Sequence, residues 1–119
     1  MPLQFTTESG KVWIPDEVIA TLAGYAASDC YGLVGMSSRK QLKDGIADLL
    51  GRDNLARGVV VKQDNNRATI DLYIIVSYGT RISEVAHNIQ SKVRYVIGDV
   101  LGLRLDRVNI IVQGVRVSG

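Results

Sequence analysis

The sequence predicts an α+β fold: one mostly antiparallel sheet in a split βαβ, ferredoxin-like arrangement, with two main helices on one face and a short extra helix in an insertion. Three observations predict it. Residues Gly58–Gly79 read as a β-hairpin with one apolar face. Residues Ile82–Leu101 carry the strongest helical period in the chain. The patterned segments follow one another as strand, helix, insertion, hairpin, helix and strand.

The hairpin turn is expected at Asp64-Asn65-Asn66-Arg67, because asparagine best tolerates, after glycine, the positive φ of a type I′ turn. A two-residue loop centred there pairs Val61 with Ile70 and Val59 with Leu72. It also puts Val59, Val61, Ala68, Ile70, Leu72, Ile74 and Val76 on one face, which must be buried. The opposite face carries Lys62, Asp64, Arg67, Thr69, Asp71, Tyr73, Ile75 and Ser77. It suits water and cross-strand ion pairs except at its Tyr73 and Ile75 end.

In chain order, Met1–Ser9 is polar and without period and is expected to be loose or disordered, leaving 10–117 as a single domain. Gly10–Ile14 alternates as a short strand. Pro15 then opens a helix where its missing N–H costs nothing, with Asp16 and Glu17 at the positive end of the dipole. In Pro15–Tyr31 the residues Val18, Leu22, Ala26 and Cys30, flanked by Ile19 and Ala23, make an apolar stripe, and Gly32 stops it. Leu33–Met36 reads as a short extra strand. Ser37 or Ser38 caps a weaker helix with the stripe Leu42, Ile46, Leu49 and Leu50, ended by Gly51 and loosened by Gly45. With the polar Arg52–Arg57 loop this insertion reads as a mobile connector.

After the hairpin Gly79 breaks the strand, and Thr80 or Ser83 caps the principal core helix. Its stripe is Ile82, Val85, Ala86, Ile89, Val93, Val96, Ile97, Val100 and Leu101, and Gly102 ends it. The last strand, Arg107–Val112, alternates until Gly114 permits a bulge before Val115 and Val117.

A chain of 119 residues with 46% hydrophobic and 22% charged residues can bury one core without staples. A net charge of +2 is too small to act as a field at a nucleic acid or an anionic membrane. The single Cys30 forms no internal disulfide, which fits a reducing compartment, and its place on an apolar stripe makes it a small buried hydrophobe rather than a nucleophile. No run approaches the roughly 20 apolar residues of a membrane span, and the first residues lack the pattern of a signal peptide, so the expected location is cytoplasmic.

Candidate chemistry is sparse. Glu84 and His87 make one E-x-x-H step, but a metal needs further ligands, and a solvent-facing histidine is the preferred reading. Gly79-Thr80-Arg81-Ile82 lacks the glycine spacing and the lysine of a phosphate loop. No catalytic, metal or cofactor-binding residues are assigned. On the open face of the sheet Tyr73 is the sole aromatic, without the aromatic cluster or GXXG loop of RNA-binding modules, so nucleic-acid binding is the second reading.

The residues Gly58-Val59-Val60-Val61, Tyr78-Gly79, Asn88-Ile89-Gln90 with Val93, Gly102-Leu103 and Val108-Asn109-Ile110-Ile111-Val112-Gln113-Gly114-Val115 form an ordered set, with Gly10–Ile14 and Glu17-Val18-Ile19 ahead of them. Over Gly10 to Val117 the chain resembles the alkaline shock protein family of Gram-positive envelope stress response proteins, in its YloU-like branch. The resemblance implies a non-enzymatic, self-associating cytoplasmic protein linked to envelope stress or lipid metabolism. In some members it is recruited to the membrane by a separate anchor protein. A scaffold or regulatory adaptor is therefore the first functional reading. Its expected contact surface comprises the strand edges and the apolar tip Tyr73, Ile75 and Ile111 on the uncovered face. The alternative is that the middle helix closes that patch.

Overall fold

A computed structural model describes residues 3–38, 52–64, 67–102 and 105–117. The turn residues Asn65 and Asn66 and the expected middle helix lie outside them. The central element is β5 (Arg67–Ser77), whose Ala68, Ile70, Leu72, Ile74 and Val76 are all buried on one face. It has partners on both edges. On one edge β3 (Leu33–Met36) and β4 (Val59–Asp64) lie end to end, both antiparallel to it; on the other, β6 (Leu105–Arg116) runs parallel to its full length. The hairpin register is the expected one, with Val61 opposite Ile70, Val59 opposite Leu72 and Asp64 opposite Arg67. Lys62 Nζ reaches across the ladder to Asp71 Oδ2 at 3.4 Å.

Parallel neighbours need a crossover of a dozen or more residues, and α2 (Ile82–Leu101) supplies it between β5 and β6. It buries Val85, Ile89, Val93 and Ile97 against the sheet and ends at Gly102, whose φ of 65° makes the left-handed cap. Its first turn is not capped by Thr80 or Ser83: Arg81 is the N-cap residue without a side-chain bond, and Thr80 Oγ1 donates instead to the carbonyl of Ser77. Helix α1 (Asp16–Ser28) packs beside α2 on the same face, so the class is α+β with both main helices on one side of the sheet.

The structure departs from expectation at three further places in the fold. The strand β2 (Gly10–Ile14) does not enter the main sheet, as a split βαβ arrangement requires. It pairs with β1 (Leu3–Thr7) in a separate antiparallel hairpin, from Leu3 opposite Ile14 to Thr7 opposite Gly10. With both edges of β5 occupied no position beside it remains, and the pairing orders a segment of Met1–Ser9 that was expected to be loose. Second, the buried face of α1 is wider than the predicted stripe and shifted off Val18: Ile19, Ala23 and Ala26 are buried as expected and Leu22 and Cys30 pack against the core, but Val18 is exposed and Ala20, Gly24 and Ala27 are buried as well. The cause is close packing. A Cβ at Gly24 would stand 2.9 Å from Leu55 Cβ in the 3-10 helix Arg52–Gly58, so the face that selects small residues is the face that packs. Third, that 3-10 helix takes up the whole Arg52–Arg57 stretch that read as polar loop, with Leu55 in the core.

Replacing Ile89 with Asp puts an unpaired charge at a fully buried position and should cost several kcal/mol of a total stability of about 5–15 kcal/mol. The control Lys92→Ala, on the exposed face, should stay within about 0.5 kcal/mol. Two glycines give a second test by thermal melting. Gly79 (φ 92°) faces open space, so Gly79→Ala should cost only the left-handed strain, about 1–2 kcal/mol. Gly32 (φ 89°) would place its new Cβ 2.5 Å from Val85 Cγ2, so Gly32→Ala should cost clearly more. Equal losses in the two variants would contradict the packing of the 29–32 turn against α2.

Candidate interaction surface

The face of the sheet away from the helices is polar at one end and apolar at the other. At the polar end Asp71 is held on both sides, by Lys62 from β4 and by Asn109 of β6, whose Nδ2 donates to Asp71 Oδ1 at 2.8 Å. The three strands are thus tied by one carboxylate whose charge is already matched. At the apolar end Tyr73 lies opposite Ile111, and Ile75 lies between Gly35 of β3 and Gly114 of β6. The three predicted contact residues are therefore brought together on one face. They are not equally available: Tyr73 and Ile111 are half-buried, and Ile75 is only 4% exposed, which makes it a packing residue. Beside them the buried Ser37 donates its N–H to the carbonyl of Tyr73 (2.8 Å) and its hydroxyl to Gln113 Oε1 (2.5 Å). Ser37 thus ties the end of β3 to β5 and β6, while the helix it was expected to cap lies outside the described residues.

The outer edge of β6, a candidate for strand pairing, is guarded. Gln90 Nε2 donates to the carbonyl of Val108 (2.8 Å), and Arg94 donates to those of Leu105 (3.0 Å) and Asp106 (3.2 Å). Further along, the register shift between Ile74 and Ile75 leaves Gln113 as an extra residue, the bulge that Gly114 was expected to permit. Side chains on edge carbonyls and a bulge are two of the ways in which a sheet edge is made a poor template for another strand.

The large side chains that do face water are elsewhere. Trp13 on β2 is 58% exposed, and every residue from Thr6 to Trp13 is exposed. Tyr31 and Tyr78 are 88% and 71% exposed. Each precedes a glycine with positive φ, Gly32 and Gly79, and the two turns are joined where Ser77 N–H donates to the carbonyl of Gly32. Tyr78 N–H donates to the carbonyl of Arg116, which fixes the second turn to the end of β6. Sequence patterning passed over Tyr31 and Trp13 because a single aromatic near a turn or in a short alternating strand has no periodic signature of exposure. The Tyr-Gly pairs were the available signal.

The remaining titratable groups have local roles. Burial pushes the Cys30 thiol above its ordinary range, with Lys92 opposing and Asp29 adding to the effect, and its Sγ lies 3.7 Å from the carbonyl of Ala26. It is a protonated, half-buried thiol at neutral pH, not an activated nucleophile. His87 is exposed on α2, and Glu84 faces Arg81 at 3.3 Å. A shallow cleft lined by Lys62, Gln63, Arg67, Thr69 and Asp106 has mixed charge, and its Gln63 is bound to Asp16 Oδ1 (2.6 Å). Among the described residues no group of three or more His, Cys, Asp or Glu side chains could hold a metal ion.

The distinction between packing and surface residues is measurable. Ile75→Glu would bury a carboxylate without a partner and should cost several kcal/mol, whereas Tyr73→Ser, at a half-buried position, should cost about 1–2 kcal/mol and leave the fold intact. Thermal melts of the two variants that coincide would return Ile75 to the surface.

Residues 4–117 match a family of proteins described as having a cell envelope-related function. The chain is 54% identical to the uncharacterized protein YloU of Bacillus subtilis (strain 168), over 99% of its own length and 98% of that protein. It is 41% identical to the uncharacterized protein Spy1614 of Streptococcus pyogenes serotype M6, covering 100% and 98% of the two chains, and 34% identical to the uncharacterized protein YqhY of Bacillus subtilis, covering 92% and 80%. No solved structure matches significantly. Among the described residues no helix is long and apolar enough to cross a membrane. With the family match spanning nearly the whole chain, the protein belongs to the alkaline shock protein 23 (ASP23) family.

Proposed function

We propose that this chain is a non-enzymatic scaffold or regulatory adaptor serving the cell envelope from the cytoplasmic side, acting through self-association and through contacts with other proteins. The observation that carries the reading is where the large aromatic side chains sit. Trp13, Tyr31, Tyr78 and Tyr95 are all more than half exposed, although the core is built from aliphatic residues that leave no packing role for them. Tyrosine and tryptophan are the residue types that most often dominate protein interfaces, because they offer large rigid areas at low entropic cost. Family membership directs such contacts to the envelope, and the resemblance suggests a membrane anchor protein as one partner and envelope stress or lipid metabolism as the process.

Sedimentation velocity over a wide concentration range tests self-association: the sedimentation coefficient should rise with concentration. Capture from a cytoplasmic extract, with and without membranes, tests the envelope link. Single-stranded RNA should not bind at any salt concentration; an affinity that falls steeply with added salt would favour the RNA-binding reading instead.

A further inference from the structure

We infer that the β1–β2 hairpin is an arm that docks on the Tyr31 and Tyr78 turns of a second copy of this chain. The inference rests on the self-association part of the proposed function and names its surface. A two-stranded hairpin is at best marginally stable in water unless a third strand or a packed face supports it. Here the hairpin forms its own sheet, and among its described side chains, those from Thr6 to Ile14, only Ile14, where it joins α1, is buried in the core. The other residues from Thr6 onward, including Val12 and the indole of Trp13, face water.

The arm and its acceptor lie at opposite ends of the same molecule. Asp16, just after the arm, is bound by Gln63, which pairs with Ala68 at the start of β5. Tyr31 and Tyr78 lie in turns joined to Ser77 and Arg116 at its end. The molecule is 56 Å long against 28 and 23 Å across. Two copies side by side in antiparallel orientation bring each arm to the other's turns.

Charge and area both select a second copy as the occupant. The exposed charges of the arm are Glu8 and Lys11; those beside the acceptor turns include Arg116 and Asp29, with Lys92 near Cys30 and Arg81 already matched by Glu84. Each charge on the arm thus has a counterpart of opposite sign at the acceptor. A stable interface takes roughly 800 Å² from each partner, whereas a tryptophan supplies about 150–250 Å², so one small arm contact falls short. A reciprocal exchange makes the same contact twice and draws in the flanks of both bodies.

Trp13 is the only tryptophan, so its fluorescence reports the contact directly. Emission and acrylamide quenching of the full chain should be followed from low micromolar to near-millimolar concentration beside sedimentation. As the dimer forms, emission should move to shorter wavelength and quenching should fall. Trp13→Ala, and separately the double variant Tyr31→Ser with Tyr78→Ser, should each weaken dimerisation about tenfold or more while melting at the parental temperature. A dimer in which Trp13 stays as quenchable as free indole would overturn the arm and leave self-association standing. A strict monomer at every concentration would overturn both.

Discussion

The occupation of both edges of β5 is the constraint on which the rest of the structure depends. The strand carries β3 and β4 end to end on one side and β6 along the other, so it is hydrogen-bonded over its whole length and buried on its helix face. Each neighbour is then fixed in register, because a slip by one residue would turn its apolar set to the wrong face. The helices follow from this. They can cover only the face where Ile70, Leu72, Ile74 and Val76 point, and α2 must be long enough to return the chain to a parallel β6. The displacement of β2 is a further consequence: the strand that comes first in the sequence finds no free edge beside the strand that organises the sheet.

Much of this was legible in the residues, and the parts that were not share a physical cause. The hairpin register, the buried stripe of α2 at Val85, Ile89, Val93 and Ile97, its stop at Gly102 and the bulge before Gly114 are local properties, decided by alternation, period and a glycine. The full buried face of α1 was hidden because hydrophobic period favours large residues such as Val18 over small ones. The structure also buries Ala20, Gly24 and Ala27, and the value of a glycine at 24 depends on its close approach to Leu55, some thirty positions away. The place of β2 was hidden for a similar reason. Whether a strand joins a sheet depends on which rival holds the edge, and β6 brings a longer, more apolar ladder than Gly10–Ile14 can.

The contact surface was only partly legible. Alternation correctly placed Tyr73, Ile75 and Ile111 on one face, but alternation gives the face of a side chain and not its exposure. Ile75 stands between two glycines, where the sheet offers no side chains to shield it, and is still almost fully buried. Conversely, Tyr31 and Tyr78 are exposed because each immediately precedes a left-handed glycine that turns the chain at the end of the sheet. Exposure there is a property of the turn, which the residue's own hydrophobicity does not reveal.

These features support the proposed reading, in which contacts are made through the surface of the molecule. Among the described residues every buried side-chain nitrogen and oxygen has a partner, and the one carboxylate deep in the open face, Asp71, is bound by Lys62 and Asn109. A group satisfied in that way has no unmet demand for a ligand, since displacing its partners would forfeit bonds already made. The unmet demand belongs to aromatic area in water, on a hairpin that lacks a third strand and on turns held rigid by backbone bonds. Guarding the edge of β6 with Gln90, Arg94 and a bulge removes a non-specific route to association, and on the proposed reading closing that route while leaving the aromatic positions open would restrict partners to those that match these side chains.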